Sequence, residues 1–188
     1  ASLMSTLSEL LPAGGGGAWT LVSTTSVSSA STIDITSLTA YKRYKIVFDI
    51  TASSSHYMKW TMKLNGSWRT TYYKFYTDRW ISADGSAAVL TSSNSSWGLA
   101  GMNYYNEISN AAPIIYEFTL ETPTISTYQN ISWQGISGVQ GFGGLVSKMR
   151  GIGTNSSYSG VLQGFRIAPS TGTYSGVFHI YGLTATEI

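Results

Sequence analysis

The sequence predicts an all-β protein, an antiparallel β-sandwich of jelly-roll type. Two stretches carry this prediction, residues 58–64 and 114–120, because apolar and polar side chains alternate there with a period of two. The composition agrees, since Thr, Tyr, Trp and Ile are plentiful and helix-forming residues are scarce. Several short strands with turn signals between them are typical of sandwiches and jelly rolls.

Eight to ten short strands are expected along the chain. Asn65-Gly66 and Asp84-Gly85 favour tight turns, because these residue types tolerate positive φ. Two segments rich in Gly, Ser and Asn, 91–112 and 135–160, are predicted to be long functional or interface loops. The segments with strand character are, in order, 19–27, 32–35, 44–50, 58–64, 68–80, 114–120, 128–136, 161–168 and 177–183.

Residues 1–17 are expected to form an N-terminal arm and glycine hinge, and residues 18–188 the β-sandwich domain. The arm carries leucines at helical spacing before Pro12, and Gly14 to Gly17 follow as a flexible tether. The arm is either a disordered tail or a short helical or extended segment that docks its leucines on a partner, and the second interpretation is favoured. The predicted anchoring residues are Leu3, Leu7, Leu10 and Leu11.

The composition argues against several function classes. Charged residues make up 11% and aromatic residues 13% of the 188 positions, which argues against intrinsic disorder. The chain has 0 Cys, and His56 and His179 are isolated, so no metal-ligand spacing is present and no metal or other cofactor is expected. Glu117 and Glu121 would share one face of a strand, but nothing else supports them as acid and base. The sequence therefore predicts no enzymatic activity.

One stretch combines basic and aromatic residues. Residues 41–80 carry a net charge of +6, whereas residues 81–147 carry −4. This pattern favours a subunit interface of a homo-oligomer. The alternatives are a glycan-contact surface, an ordinary sheet surface and, least favoured, a surface for single-stranded nucleic acid. The candidate interface or glycan-contact residues are Tyr57, Trp60, Trp68, Arg69, Tyr72, Tyr73, Tyr76, Arg79 and Trp80.

Two sets of strand motifs carry a resemblance to a known family. The first set is Ala-Trp-Thr-Leu-Val-Ser at 18–23, Ser-Thr-Ile-Asp-Ile-Thr at 31–36 and Tyr-Lys-Ile-Val-Phe at 44–48; the second is Phe-Arg-Ile at 165–167 with the closing strand 175–183. Together with Leu-Leu-Pro-Ala at 10–13 and the glycines after it, they resemble small structural proteins of tailed bacteriophages. Members of that family lie on the virion surface as head decoration or tail-fibre modules.

The resemblance implies a β-sandwich, homo-oligomerisation that is often trimeric, and no enzymatic activity. We expect a structural protein on a phage virion, assembled in the host cytoplasm, of the capsid decoration or cement type. It would attach through its arm to other virion proteins, such as capsid or tail components. The alternative is a tail-fibre or receptor-binding module that contacts host cell-surface glycans. Neither nucleic acid nor a membrane is an expected partner.

Overall fold

The fold is an antiparallel β-sandwich of two sheets, as the sequence predicts. It contains strands and their connections and no helix in the part of the chain that is described. The structure is a computed structural model that describes residues 18–38, 40–81, 87–101, 108, 112–121, 128–138 and 146–183.

Thirteen strands form the two sheets in the described ranges. The large sheet has the order β1-β13-β3-β9-β10-β11-β6-β7, and the small sheet has the order β2-β12-β4-β5, with β8 also paired to β4. The strands are β1 (Trp19–Ala30), β2 (Ile33–Thr36), β3 (Arg43–Ala52), β4 (Met58–Leu64), β5 (Ser67–Trp68), β6 (Tyr73–Ile81), β7 (Ala87–Ser95), β8 (Gly98–Gly101), β9 (Ile114–Glu121), β10 (Tyr128–Gly138), β11 (Val146–Ser159), β12 (Leu162–Pro169) and β13 (Tyr174–Leu183).

Eight of these strands pair in the nested order of a jelly roll. The outermost pair is β1 with β13, the next is β2 with β12, then β3 with β9, and the innermost is β4 with β8. Successive pairs alternate between the large and the small sheet, so the chain is a long hairpin rolled into two layers. The remaining five strands are insertions: β10, β11, β6 and β7 extend the large sheet beyond β9, and β5 pairs with β4 in the small sheet.

The two predicted loop segments are wrong in large part. Strands β7 and β8 lie within or across residues 91–112, and β11 occupies most of residues 135–160. The Gly and Ser content there suggested loops, but the two glycines of β11, Gly151 and Gly153, face the aromatic rings of Trp133 and Trp60. Strand pairing and the space taken by these rings override the low strand propensity of glycine.

One of the two predicted turns is confirmed. Asn65 and Gly66 have φ of 48° and 82° and connect β4 to β5, as in a two-residue hairpin. The Asp84-Gly85 turn and the N-terminal arm with its hinge, residues 1–17, lie outside the described residues.

The core between the sheets is built around β4 and β9, the two strands in which apolar and polar residues alternate. The apolar positions of β4 and β9 are all 0% exposed, and their intervening residues point outward. Rings from both sheets meet at the centre: the centroids of Phe118 and Phe165 are 4.9 Å apart. Trp60 of the small sheet lies 5.1 Å from Tyr73 and 5.7 Å from Trp133, both on the large sheet.

Two glycines make room for the Trp60 indole. A Cβ at Gly98 or Gly153 would overlap the six-membered ring of Trp60. Gly98 belongs to the small sheet and Gly153 to the large one, so the indole is enclosed from both layers. Close packing of this kind leaves no space for an added methyl group.

The only buried histidine in the described part of the chain is His56. It forms an isolated bridge with Ile108, and its ring contacts Tyr174 edge-on at 5.0 Å. Its Nδ1 donates to the Ser54 carbonyl at 3.0 Å, while Nε2 has no hydrogen-bond partner. Burial lowers the pKa of His56 below 6.5, and the bond to Ser54 offsets only part of this effect.

We predict that acid destabilises the protein through His56. Between pH 6.5 and the lower pKa of the folded chain, the unfolded chain binds a proton at this residue and the folded chain does not, so the free energy of unfolding falls as pH falls through this window. The loss is about 1.4 kcal/mol for each unit by which the folded pKa lies below the unfolded one. Urea unfolding between pH 7.5 and 5 measures it.

The variant His56→Gln should flatten this pH dependence. The control is His179→Gln, because His179 lies on the outer face of β13, beside Thr24, and not in the core. An equal pH slope in wild type and His56→Gln would contradict the prediction.

We also predict that Gly153→Ala destabilises the protein by about 1–3 kcal/mol, since the methyl group must displace the Trp60 ring. Chemical denaturation with Trp fluorescence measures the change. The comparison is Gly66→Ala, where no atom lies within 4 Å and only the positive φ opposes the substitution, at about 1 kcal/mol. A smaller cost at Gly153 than at Gly66 would show that the ring is not tightly enclosed.

Candidate functional site

Two of the nine predicted contact residues are wrong, because they belong to the core. Trp60 and Tyr73 are both 0% exposed. The Tyr73 hydroxyl accepts from the Met62 amide at 2.8 Å and donates to the Arg69 carbonyl at 3.1 Å. Burial raises the pKa of Tyr73 to about 12. The alternation of β4 already places Trp60 on its apolar face, so the sequence contained the signal against this residue.

The other predicted contact residues lie on separate surfaces. Tyr76 and Trp80 project from the outer face of the large sheet, with exposures of 42% and 50%. Trp68 lies on the outer face of the small sheet, beside Lys63. Tyr57, Trp68 and Arg69 are half-buried, Tyr72 is exposed, and the side chain of Arg79 lies outside the described residues.

Basic side chains of the chain itself lie over aromatic rings on and beside the small sheet. Arg166 stacks on Trp68 at 4.3 Å and holds Asp34 through two hydrogen bonds of 2.6 Å. That pairing with Asp34 raises the pKa of Arg166. Lys59 likewise lies 4.3 Å above the ring of Trp97. These contacts are internal to the chain, so they stabilise the sheet surface and cover one face of each ring.

The charge segregation along the sequence is neutralised in part within one chain. Strand β3 pairs with β9, which places Arg43 3.1 Å from Glu121 and Lys45 3.6 Å from Glu117. These two ion pairs account for Arg43 and Lys45 only, so the interpretation that positive and negative segments meet across a subunit interface stays a prediction. Glu117 and Glu121 serve as ion-pair partners of β3.

A shallow trough crosses the outer face of the large sheet over β9, β10, β11 and β6; we call it the outer trough. It has a volume of about 540 Å³, and a second depression of about 200 Å³ continues it past Thr119 and Ser132. Its size falls in the range of small-molecule sites, about 300–1,000 Å³. The main lining residues are Lys74, Tyr76, Thr119, Glu121, Asn130, Ser132, Ile152 and Thr154.

Strand register explains the shape of the outer trough. Thr119, Ser132, Ile152 and Tyr76 lie side by side on four adjacent strands. The first two are small and form the floor, whereas the last two are large and form a wall. The exposures of Ile152 and Tyr76, 63% and 42%, show that this wall stands free of other described residues.

The next register row adds charged and amide groups to the trough. It runs Glu117, Gln134, Arg150 and Asp78 across the same four strands. Arg150 lies 3.0 Å from Asp78, and Lys45 holds Glu117, so the charges come in fixed opposite pairs. The arrangement offers donors and acceptors in a charge-balanced setting, which suits binding of a neutral polar ligand.

No metal-binding cluster occurs among the described residues, and none of their helices could span a membrane, because this part of the chain has no helix. Of the trough residues, Tyr76 is among the predicted contact residues, whereas Ile152 and Thr154 are missed because β11 is predicted as a loop. The alternation of residues 130–134 was the available signal, since it places Asn130, Ser132 and Gln134 on one face.

Comparison with protein-family models, with curated proteins and with solved structures gives no match to this chain. The resemblance to phage virion proteins therefore rests on the strand motifs at the two ends of the sandwich. Membership of that family stays a prediction.

Proposed function

We propose that this protein is a non-enzymatic structural protein on the surface of a phage virion, of the capsid decoration type. The observation that carries the proposal is the nested eight-strand jelly roll, an architecture used by viral capsid and lectin domains. Because a fold does not determine function, the proposal also draws on the sequence motifs that frame the sandwich. An aromatic core gives such a domain its stability without disulfides.

The position of β1 supports attachment through the arm. Trp19 opens β1 at the edge of the large sheet, directly after the glycine hinge. An arm that leaves from a sheet edge is free to reach a neighbouring protein without disturbing the core. The four leucines of the arm would supply an apolar contact worth about 1.5–3 kcal/mol each when fully buried.

The edge strand β1 supports homo-oligomerisation. It has twelve residues, none of which is buried, and it contains neither a charged residue nor proline. Within the described ranges it pairs with β13 alone. Edge strands of this kind usually need cover, and contact with another copy of the chain is one way to provide it.

The second candidate function is a module that contacts host cell-surface glycans. The outer trough favours it, because aromatic, amide and hydroxyl side chains converge there on an open face. This function is compatible with a place on the virion surface, where host contact occurs.

We predict that deleting residues 1–13 leaves the sandwich folded and weakens its attachment to the particle. Gold-labelled antibodies against the chain should decorate whole virions, and particles incubated with the truncated protein should carry less label than those incubated with the full chain. Equal thermal melting of the two proteins is the control for folding. Absence of the chain from purified virions would overturn the proposed function, and equal binding of both proteins would place attachment elsewhere.

We predict that the protein sediments as a homo-oligomer, most simply a trimer of three 20.3 kDa chains. The variant Thr25→Lys, which adds a charge to exposed β1, should shift the population to monomer, whereas Thr171→Lys in an exposed turn should not. Analytical ultracentrifugation at micromolar concentration measures both. A monomeric wild-type protein would rule out the oligomer, and an oligomer unaffected by Thr25→Lys would exclude β1 as its interface.

A further inference from the structure

We infer that the outer trough binds a neutral oligosaccharide, with its floor at Thr119 and Ser132 and its apolar wall at Tyr76 and Ile152. The inference rests on the second proposed function, glycan contact, and adds to it a site and a ligand class. It follows from the shape of the trough, from the balance of its charges and from the side chains that project into it.

The shape of the trough suits a flat ring. Small side chains on β9 and β10 lie beside large ones on β11 and β6, so one side of the floor is bounded by a step. The other side ends at Lys45, the register partner of Thr119, which lies beneath the ring of Trp19 at 4.9 Å. The floor is therefore about three strand spacings wide, roughly 14 Å.

The wall offers an apolar surface with a polar tip. Tyr76 presents its ring and hydroxyl, and Ile152 beside it is the most exposed of the large apolar side chains in the described chain. A sugar ring has an apolar C–H face and a rim of hydroxyl groups. An exposed tyrosine matches both parts, because its ring packs against the C–H face while its hydroxyl bonds to the rim.

The charges of the trough argue against a polyanion. Lys74 and Arg150 line it together with Glu117 and Glu121, so its charged groups are balanced. Arg150 is also held by Asp78. A groove for nucleic acid or an acidic polysaccharide needs an excess of positive charge along the backbone of the ligand, which this surface does not provide.

The ion pairs also orient the two glutamate carboxylates of the trough. Glu117 is held by Lys45 and Glu121 by Arg43, and each carboxylate has further lone pairs to accept from a ligand hydroxyl. Asn130, Ser132 and Gln134 project from β10 between these groups. Groups positioned before binding lose less conformational entropy when a ligand arrives.

The test uses the full-length protein and saturation-transfer NMR with linear hexasaccharides. The neutral probes are cellohexaose, maltohexaose and chitohexaose, and the acidic probe is a hexamer of galacturonic acid. We expect transfer to at least one neutral probe and none to the acidic probe. Transfer to the acidic probe alone would overturn the ligand class.

Substitutions then test the site. Ser132→Trp fills the floor and should abolish the signal, and Tyr76→Ala should weaken the affinity about tenfold, a loss of about 1.4 kcal/mol. Both positions are exposed, so the fold should persist, and circular dichroism with thermal melting checks it. The matched control is Ser67→Trp, the same exchange at an exposed position of the small sheet, which should bind like the wild type.

The outcomes separate the site from the function. If Ser132→Trp binds a neutral probe as well as the wild type does, the trough is not the site, although glycan contact survives as a function. If no probe binds the wild type, both the site and the glycan-contact function fail. Neither result bears on the place of the protein in the virion, which the particle labelling decides.

Discussion

The Trp60 indole is the contact on which the arrangement of the two sheets depends. It comes from the small sheet, is fully buried, and meets Tyr73 and Trp133 of the large sheet. Glycines on both sheets leave the space that it fills. This one side chain sets the sheet separation where the insertion strands join the jelly roll, since close-packed interiors tolerate neither a gap nor an added methyl group there.

The same contact explains how the insertions become part of one domain. Without β10, β11 and β6, Trp60 would lose its contacts with Tyr73, Trp133 and Gly153, which these strands supply from the large sheet. The insertions therefore complete the core of the jelly roll, and in doing so they widen the large sheet to eight strands. The outer trough lies on the reverse side of this added part, so core packing and the candidate site share the same strands.

The sequence predicts those features of the structure that are determined by residues close together in the chain. The alternation in β4 and β9 and the Asn65-Gly66 turn are local, and the sequence predicts them correctly. The strand β11 could not be predicted in this way. Its glycines, Gly151 and Gly153, leave space for aromatic rings that come from distant parts of the sequence. The outer trough could not be predicted for the same reason: Tyr76 and Ile152 become neighbours only through the β6–β11 register.

The charge pattern shows a related limit. A run of basic residues and a run of acidic ones look like two faces as long as the chain is read linearly. The pairing of β3 with β9 brings Arg43 and Lys45 of the basic run to Glu121 and Glu117 of the acidic one, and Lys45 becomes a buried cation between Trp19 and Glu117. Composition therefore describes the charge correctly, and topology decides where that charge acts.

The outermost pair of the nested fold has a mechanical consequence. Trp19 and Leu183 are register partners, so the segments on either side of the sandwich leave it at one corner. A force that pulls β1 away from β13, perpendicular to the strands, would break the hydrogen bonds of this ladder one after another. A force parallel to the strands would have to break many of these bonds at the same time. A tether at this corner would thus yield gradually when pulled outward and resist when pulled along the sheet.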